Sequence, residues 1–192
     1  MTLRRPSAPR IPPVQKILDV MSERRDMSQP GAYNIAATVG ANRKVGKALG
    51  AYARVLMEEG SLDPRLREIV ILRIGWDTQS VYEFGQHTLF GGKAGLSDEE
   101  IYLLTRPISQ GKWSSVEQAL IQMTDDIYAD DCVSDSTWME LKAHLSDADI
   151  IEAMAVAMNW RTASTLLNSC GVELDAGVPG WPTARSRTYV EG

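Results

Sequence analysis

Cysteine, histidine and long apolar runs are all scarce in this chain of 192 residues. Its two cysteines, Cys132 and Cys170, belong to no CxxC pair, so two free thiols are a simpler interpretation than a disulfide. The two histidines, His87 and His144, have no cysteine nearby, which disfavours a closed zinc site built from Cys and His ligands. We therefore predict no metal and no cofactor.

Positive charge is also in short supply. The net charge is −5 and the pI is about 5.1, which argues against a nucleic-acid partner because phosphate backbones favour basic surfaces. No apolar run is long enough to cross a bilayer. The first residues, MTLRRPSAPRIPPV, lack the apolar segment of a secretory signal. We expect a cytoplasmic protein whose partner is a small molecule rather than nucleic acid or a membrane.

The alternating pattern of a half-buried strand extends over no more than a few residues anywhere in the chain. Helical spacing and helix-capping residues recur instead, and they predict an all-α fold. The predicted helices cover about 14–25, 33–59 with an interruption near Gly40, 64–75, 79–94, a segment after Ser97, 114–128, 134–145 and 148–169.

The two ends of the chain differ from this helical region. Residues 1–13 contain four prolines, which exclude a helix and predict an extended arm. Residues 172–192 contain further prolines and glycines, and we expect an extended or loose tail there. The predicted organisation is therefore one helical domain, residues 14–171, with an arm at each end.

Glu68 is the first candidate functional residue. It precedes Ile71 and Leu72 by three and four positions, so its neighbours on that helix face are apolar. A carboxylate in such a place is either paired or has its pKa raised by burial. The alternative to a functional role is an ion pair with a nearby arginine such as Arg65, Arg67 or Arg73.

Glu83 and His87 are four residues apart and share one helix face. An ionised glutamate beside histidine favours the imidazolium form and suits acid–base catalysis near neutral pH. Two alternatives stay open: a surface pair of little energetic value, and a capping box formed by Ser80 and Glu83. A metal held by Glu83, His87 and Glu68 is disfavoured because other ligands are lacking. The glycines in this helix, such as Gly85, predict a close approach by another segment or a ligand.

The segments RLREIVILR, YEFGQH and GLSDEEI, in this order and spacing, resemble the carboxymuconolactone decarboxylase family, whose superfamily includes alkylhydroperoxidase D. The redox branch of that family has a glutamate, a CxxC and a histidine. These positions correspond here to Glu68, to Ser80 and Glu83 in place of the cysteines, and to His87. The resemblance therefore favours the cofactor-independent decarboxylase branch over the peroxidase branch.

The resemblance implies an alkylhydroperoxidase D-like helical bundle that assembles into trimers or hexamers, with a pocket between helices. The implied function is a lyase, decarboxylase or isomerase acting on a small lactone-like or enolisable carboxylic acid, as in aromatic catabolism. In this interpretation, protonated His87 delivers a proton or stabilises an oxyanion. Glu83 orients and charges His87, and Glu68 relays a proton.

Four more residues are candidates for substrate binding: Tyr82, Ser80, Arg73 and Trp160. Tyr82 would donate to a substrate oxygen, and Arg73 would bind a carboxylate unless an acid of the protein occupies it. Trp160, with Asn159, would line the pocket, although core packing is the simpler role for a tryptophan.

Two other functions are carried forward as alternatives. A thiol peroxidase requires two close thiols, which this motif lacks. A non-catalytic small-molecule binding protein would keep the fold without the chemistry.

Overall fold

A computed structural model of the protein describes residues 9–11 and 33–182. The predicted helix at 14–25 and most of the 1–13 arm lie outside the described residues. In residues 33–182 the chain forms α-helices joined by turns, without a β-strand, so the all-α prediction is confirmed. The α-helices of this part are α1 Tyr33–Val39, α2 Arg43–Arg54, α3 Pro64–Asp77, α4 Val81–Lys93, α5 Asp98–Leu103, α6 Ser115–Asp130, α7 Asp135–His144 and α8 Asp147–Cys170.

Local sequence signals set the ends of these helices. Asp63 caps α3 by accepting hydrogen bonds from the backbone N–H groups of Arg65 and Leu66, and Pro64 occupies the first turn, where no N–H is needed. Capping boxes open α5 at Ser97 and α6 at Ser114. The interruption predicted near Gly40 is a short 3₁₀ turn, Gly40–Asn42, between α1 and α2.

Helix α3 forms the centre of the fold and packs against α4, α6 and α8. Every residue from 68 to 75 is buried, and the aliphatic side chains there have no exposed surface. A helix with so little polar surface is stable only when neighbours cover it on all sides. The other long helices provide that cover, so residues on α3 point directly into the interior.

Helix α2 is different because none of its residues is buried. It follows α1 and continues into a π-helical turn, Val55–Glu59. Helices α1 and α2, here called the roof, lie on one side of a cavity. Helices α4 and α8, here called the floor, lie on the other side.

The C-terminal segment 172–182 is non-helical, as expected for an extended or loose tail, and of these two alternatives its described residues are packed rather than loose. Val178 is buried, and Trp181 packs against Trp76 and Phe84. Gly85 allows this packing, because a Cβ atom there would lie 2.1 Å from the Pro179 carbonyl oxygen. The close approach predicted for the glycines of α4 is made here by the C-terminal segment.

A buried charge cluster links α3 to α6. The Arg73 guanidinium donates to both carboxylate oxygens of Asp125, at 2.5 and 2.8 Å, and to the carbonyls of Leu104 and Arg106. Asp77 lies on the other side, with Oδ2 3.7 Å from Arg73 Nε and no hydrogen-bond partner for that oxygen among the described residues. Burial raises the pKa of Asp77 to about 7, while the charge of Arg73 opposes the rise and that of Asp125 adds to it.

This cluster predicts that stability falls as pH rises. The folded protein binds the Asp77 proton more tightly than the unfolded chain does, so the contribution of Asp77 to stability is full below about pH 4 and is lost as the pH rises to about 7. The contribution is on the order of 2–4 kcal/mol. Urea unfolding of Asp77→Asn at several pH values should show a flatter profile than wild type. Asp130→Asn, which changes an exposed carboxylate, is the control, and equal slopes in all three proteins would contradict the assignment.

Both cysteines are free, as expected: Cys132 is exposed and Cys170 is half-buried. Among the helices of the described residues, none combines the length and the apolar character that a membrane span requires.

Candidate active site

The candidate site is centred on His87, which is buried where α4 meets α3 and α8. Glu68 of α3 places Oε2 2.7 Å from His87 Nδ1. Trp160 of α8 donates its indole N–H to His87 Nε2, also at 2.7 Å. Both ring nitrogens of the imidazole are therefore occupied by protein groups from different helices.

These two partners fix the tautomer of His87. An indole N–H can only donate, so Nε2 must offer its lone pair and carries no proton. The proton of a neutral ring then resides on Nδ1 and is donated to the Glu68 carboxylate. This geometry differs from the expected imidazolium, because an N–H on Nε2 would face the N–H of Trp160.

The tautomer can be measured directly. The nitrogen NMR spectrum should show His87 protonated at Nδ1 and unprotonated at Nε2 near neutral pH. Substituting exposed His144 by Gln leaves a single histidine in the chain and makes the assignment unambiguous. In a Trp160→Phe variant the preference should weaken. A wild-type ring protonated at Nε2 would contradict the geometry.

Glu68 is held by a second contact as well. Arg67 Nε lies 3.3 Å from Glu68 Oε1, and the same guanidinium donates to the Met57 carbonyl at 3.1 Å. The ion pair considered from the sequence therefore exists, with Arg67, and it coexists with the contact to His87. The two oxygens of Glu68 divide these tasks between them.

Glu83 is buried beside His87 but does not orient it. Its Oε2 atom lies 3.9 Å from His87 Nε2, which is too long for a hydrogen bond. Glu68, rather than Glu83 as expected, fixes the imidazole. Burial raises the pKa of Glu83 to about 7, and the nearby His87 opposes the rise. The surface-pair alternative is excluded by this burial, since only 5% of Glu83 is exposed.

Ser80 caps α4 and lies outside the cavity wall. Its hydroxyl accepts a weak hydrogen bond, 3.5 Å long, from the backbone N–H of Glu83. The Glu83 carboxylate does not return a bond to the Ser80 backbone among the described contacts, so half of the predicted capping box forms. Because the Glu83 side chain is not used in a cap, it faces the cavity.

A cavity of about 330 Å³, here called the His87 cavity, lies between the α1–α2 roof and the α4–α8 floor. Its size is at the lower end of the range for small-molecule sites. The lining residues are Ile35, Ala36, Val39, Gly46, Leu49, Gly50, Ala53, Tyr82, Glu83, Gln86, His87, Phe90, Asn159, Trp160, Ala163 and Leu166. Most of this wall is apolar, and the polar groups cluster on the floor.

Asn159 is a polar residue of the cavity floor. In the sequence analysis it was named only together with Trp160, as part of the pocket wall. Its side chain is 8% exposed, lines the His87 cavity, and has no hydrogen-bond partner among the described residues. A buried amide without a protein partner is available to a ligand. Its position next to Trp160 in the sequence was the only signal that could have found it.

Tyr82 also lines the His87 cavity, but its hydroxyl is committed elsewhere. It donates to Asp175 Oδ2 and accepts from the backbone N–H of Ile35 at 3.2 Å. Burial and the Asp175 carboxylate raise the pKa of this phenol. The expected donation from Tyr82 to a substrate oxygen is therefore replaced by a contact within the protein.

Asp175, which the sequence analysis did not single out, joins several parts of the fold. Its carboxylate accepts from the backbone N–H groups of Tyr33 and Asn34 at 3.1 and 3.0 Å, from Tyr82, and from Gln86 Nε2 at 3.0 Å. This one buried side chain ties the start of α1 to α4. It therefore anchors the roof of the His87 cavity.

Arg73 does not reach the His87 cavity. Its guanidinium is occupied by Asp125 and two carbonyl oxygens, as the alternative of a structural pair predicted. The expectation that Arg73 binds a substrate carboxylate in this pocket is corrected accordingly. No group of acidic, histidine or cysteine side chains suited to a metal occurs among residues 9–11 and 33–182.

Comparison with known proteins finds a family match for part of the chain. The model of the carboxymuconolactone decarboxylase family matches residues 43–125, which include Glu68, Glu83 and His87. Over this segment, which is less than half of the chain, the sequence is similar to that family. The match ends before Trp160 and Asn159, so the α8 side of the site lies outside it. No curated protein is significantly similar to this chain.

Solved structures share the fold of this chain. A peroxidase-related protein from Silicibacter sp. TM1040 has a TM-score of 0.74 at 13% identity, covering 93% of this chain and 97% of that chain. An AhpD-core, peroxidase-related protein from Ralstonia eutropha JMP134 has a TM-score of 0.70 at 18% identity, covering 84% of each chain. A variant of the debrominase Bmp8, bound to 2,3,4-tribromopyrrole, has a TM-score of 0.68 at 11% identity, covering 88% of this chain and 94% of that chain.

Proposed function

We propose that this protein catalyses proton transfer on a small enolisable carbonyl compound in the His87 cavity, without a cofactor. The observation that carries the proposal is Glu83, a buried carboxyl in the cavity wall whose pKa is raised to about 7. A base is most effective when its pKa lies near the working pH. Glu83 has this property, and its carboxyl group makes no hydrogen bond among the described residues.

In the proposed reaction, the Glu83 carboxylate removes a proton from the carbon next to the carbonyl group. The electron pair of the broken C–H bond forms an enolate, whose negative charge develops on the carbonyl oxygen. The Asn159 amide N–H is available to stabilise that oxygen. Once protonated Glu83 has exchanged its proton with solvent, delivery of the solvent-derived proton to the same carbon gives exchange, and delivery to a different carbon of a conjugated enolate gives isomerisation.

The Glu68–His87 pair is proposed to assist this reaction by accepting the proton from Glu83. The contacts with Glu68 and Trp160 place a proton on Nδ1 of His87 and leave Nε2, which lies 3.9 Å from Glu83 Oε2, as an acceptor. When the Trp160 N–H turns to a substrate oxygen, Nε2 becomes free to take the proton from Glu83. The Glu68 carboxylate then stabilises the imidazolium through the hydrogen bond at Nδ1, as the aspartate carboxylate does in a Ser-His-Asp triad.

Decarboxylation is the second candidate, favoured by the family match over residues 43–125. Loss of CO₂ beside a carbonyl leaves the same enolate, which must be protonated at carbon. A lyase of this kind would use the same residues, with protonated Glu83 as the acid. A thiol peroxidase is not proposed, because Ser80 and Glu83 stand at the cysteine positions and neither Cys132 nor Cys170 lines the cavity.

The test is solvent exchange. Incubation of a panel of small ketones and lactones with the protein in D₂O, followed by proton NMR, should reveal one or more whose C–H signal is lost faster than without protein. Release of CO₂ from lactone acids, measured on the same samples, identifies the decarboxylase candidate. Saturable ligand binding with neither exchange nor CO₂ release would indicate a non-catalytic binding protein and contradict the proposal.

We also propose that the chain acts in the cytoplasm as a homo-oligomer. Support comes from large apolar side chains on the surface, which mark interfaces where they form a contiguous patch. Those most exposed include Val45, Met139, Ile151 and Met158, at 47–72%. Light scattering after gel filtration should give the mass of a trimer or hexamer, and the mass of a monomer, 21.2 kDa, would contradict the proposal.

A further inference from the structure

The charge of the His87 cavity limits what it can bind. Glu83 and His87 are its ionisable groups apart from the Tyr82 phenol, and no lysine or arginine lines it among the described residues. Taking a carboxylate out of water without a cationic partner or several donors is costly. A second carboxylate beside Glu83 adds repulsion between like charges. The site is therefore unsuited to anions.

Two arginines of α3 do not compensate for the negative charge of a carboxylate ligand. Arg67 is used by Glu68 Oε1 and the Met57 carbonyl, and Arg73 is used by Asp125. The cations of α2, such as Lys44 and Lys47, line a neighbouring surface depression that shares part of its wall with the His87 cavity, and neither of them lines the cavity itself. The positive charge of α2 is therefore not among the groups that line the cavity beside Glu83.

The α2 side of the cavity is lined by small, mostly apolar residues, which leave space for an apolar part of a ligand. Gly46, Leu49, Gly50 and Ala53 recur at helical spacing and all line the cavity, so a single face of α2 covers it. Three of these four side chains are glycine or alanine. A Cβ atom added at Gly50 would meet no other atom within 4 Å, so this glycine leaves open volume.

From these observations we infer that the His87 cavity selects a neutral, ring-sized apolar molecule with one carbonyl or hydroxyl group, and discriminates against carboxylates. The inference rests on the proposed function for the identity of the site and adds the class of substrate. The polar group of the ligand lies on the floor, near Asn159 and Glu83, and its ring lies against α2. Isomerisation or exchange of a neutral ketone follows more naturally from this class than decarboxylation of an acid.

Benzamide and benzoate test the charge selection, because they have nearly the same shape and differ in charge. Neither has an acidic C–H next to its carbonyl, so binding is measured without any turnover. Calorimetric titration of the wild type at pH 8 should give a benzamide affinity at least about tenfold higher than that of benzoate. In Glu83→Gln the difference should shrink, because the benzoate affinity rises.

Two leucine substitutions locate the binding. Gly50→Leu fills the cavity from α2 and should abolish benzamide binding. Gly92→Leu is the matched control, since a Cβ atom there also meets nothing within 4 Å and the residue lies outside the cavity wall. If Gly50→Leu is destabilised, the response of benzoate to Glu83→Gln still decides the question.

Benzoate binding as tightly as benzamide, or neither molecule binding, would overturn the inference. So would benzamide binding that Gly50→Leu leaves unchanged. These results would not touch the proposed proton transfer, which the exchange experiment tests separately on other compounds.

Discussion

Replacing Glu83 by Gln is expected to slow proton transfer by about 10²–10⁴-fold, the usual contribution of a positioned general base. Glutamine has nearly the same shape but cannot accept the proton, and the cavity wall offers no other carboxylate among the described residues. The rate of deuterium exchange, followed by proton NMR on the substrate that the panel identifies, measures the loss. The substrate affinity should change far less than the rate.

The pH dependence of the wild-type rate is part of the same prediction. A base works in its ionised form, so the rate should fall as the pH drops through about 7, where Glu83 takes up its proton. Glu99→Gln, which makes the same change at an exposed position, should keep both the rate and the profile. A Glu83→Gln protein with more than half of the wild-type rate would remove Glu83 from the mechanism.

The Asp175→Ala substitution should lower the free energy of unfolding by about 3–5 kcal/mol, the range for breaking a buried polar network that includes a charge. The Asp175 carboxylate accepts from two backbone N–H groups, a phenol and an amide, and all of these lose their partner together. Each buried donor without a partner adds to the destabilisation. Urea unfolding monitored by circular dichroism measures the change.

Glu173→Ala is the matched control for Asp175→Ala. It removes an exposed carboxylate two residues away, in the same C-terminal segment, and should change stability by less than about 0.5 kcal/mol. Tyr82→Phe removes one of the donors and should cost about 1 kcal/mol. Asp175→Ala with the stability of the wild type would show that the roof is held in another way.

The roof connects these two predictions. Asp175 anchors the start of α1, and α1 with α2 covers the cavity that contains Glu83. Loss of the anchor should admit water to the cavity and bring the pKa of Glu83 back toward its ordinary value, because burial is the main cause of its rise. The pH profile of any residual activity in Asp175→Ala should therefore shift to lower pH.

The sequence by itself determined the helices and their ends. Asp63 and Pro64 start α3, the Ser97 and Ser114 capping boxes start α5 and α6, and Gly171 ends α8 in a left-handed conformation. These signals are local, since each depends on groups within a few residues of one another. The burial of α3 was equally predictable, because a helix without a polar face has no stable exposed position.

The sequence also identified Glu68, Glu83 and His87 as candidates, through the spacing of the last two and a family resemblance that covers all three. It assigned the partners of His87 incorrectly. Spacing along one helix brings Glu83 to within 3.9 Å, but the hydrogen bond comes from Glu68 on another helix. Helical spacing shows which side chains share a face, and it does not show what the neighbouring helix presents to that face.

Only the tertiary structure decided the chemical state of the site. Trp160, 73 residues away from His87, fixes the tautomer, and Asp175, 93 residues away from Tyr82, takes the phenol that was expected to meet a substrate. The ion pair between Arg73 and Asp125 likewise depends on how α3 packs against α6. Such contacts depend on the packing of whole helices, which no local pattern encodes, and together they determine which polar groups remain for a ligand.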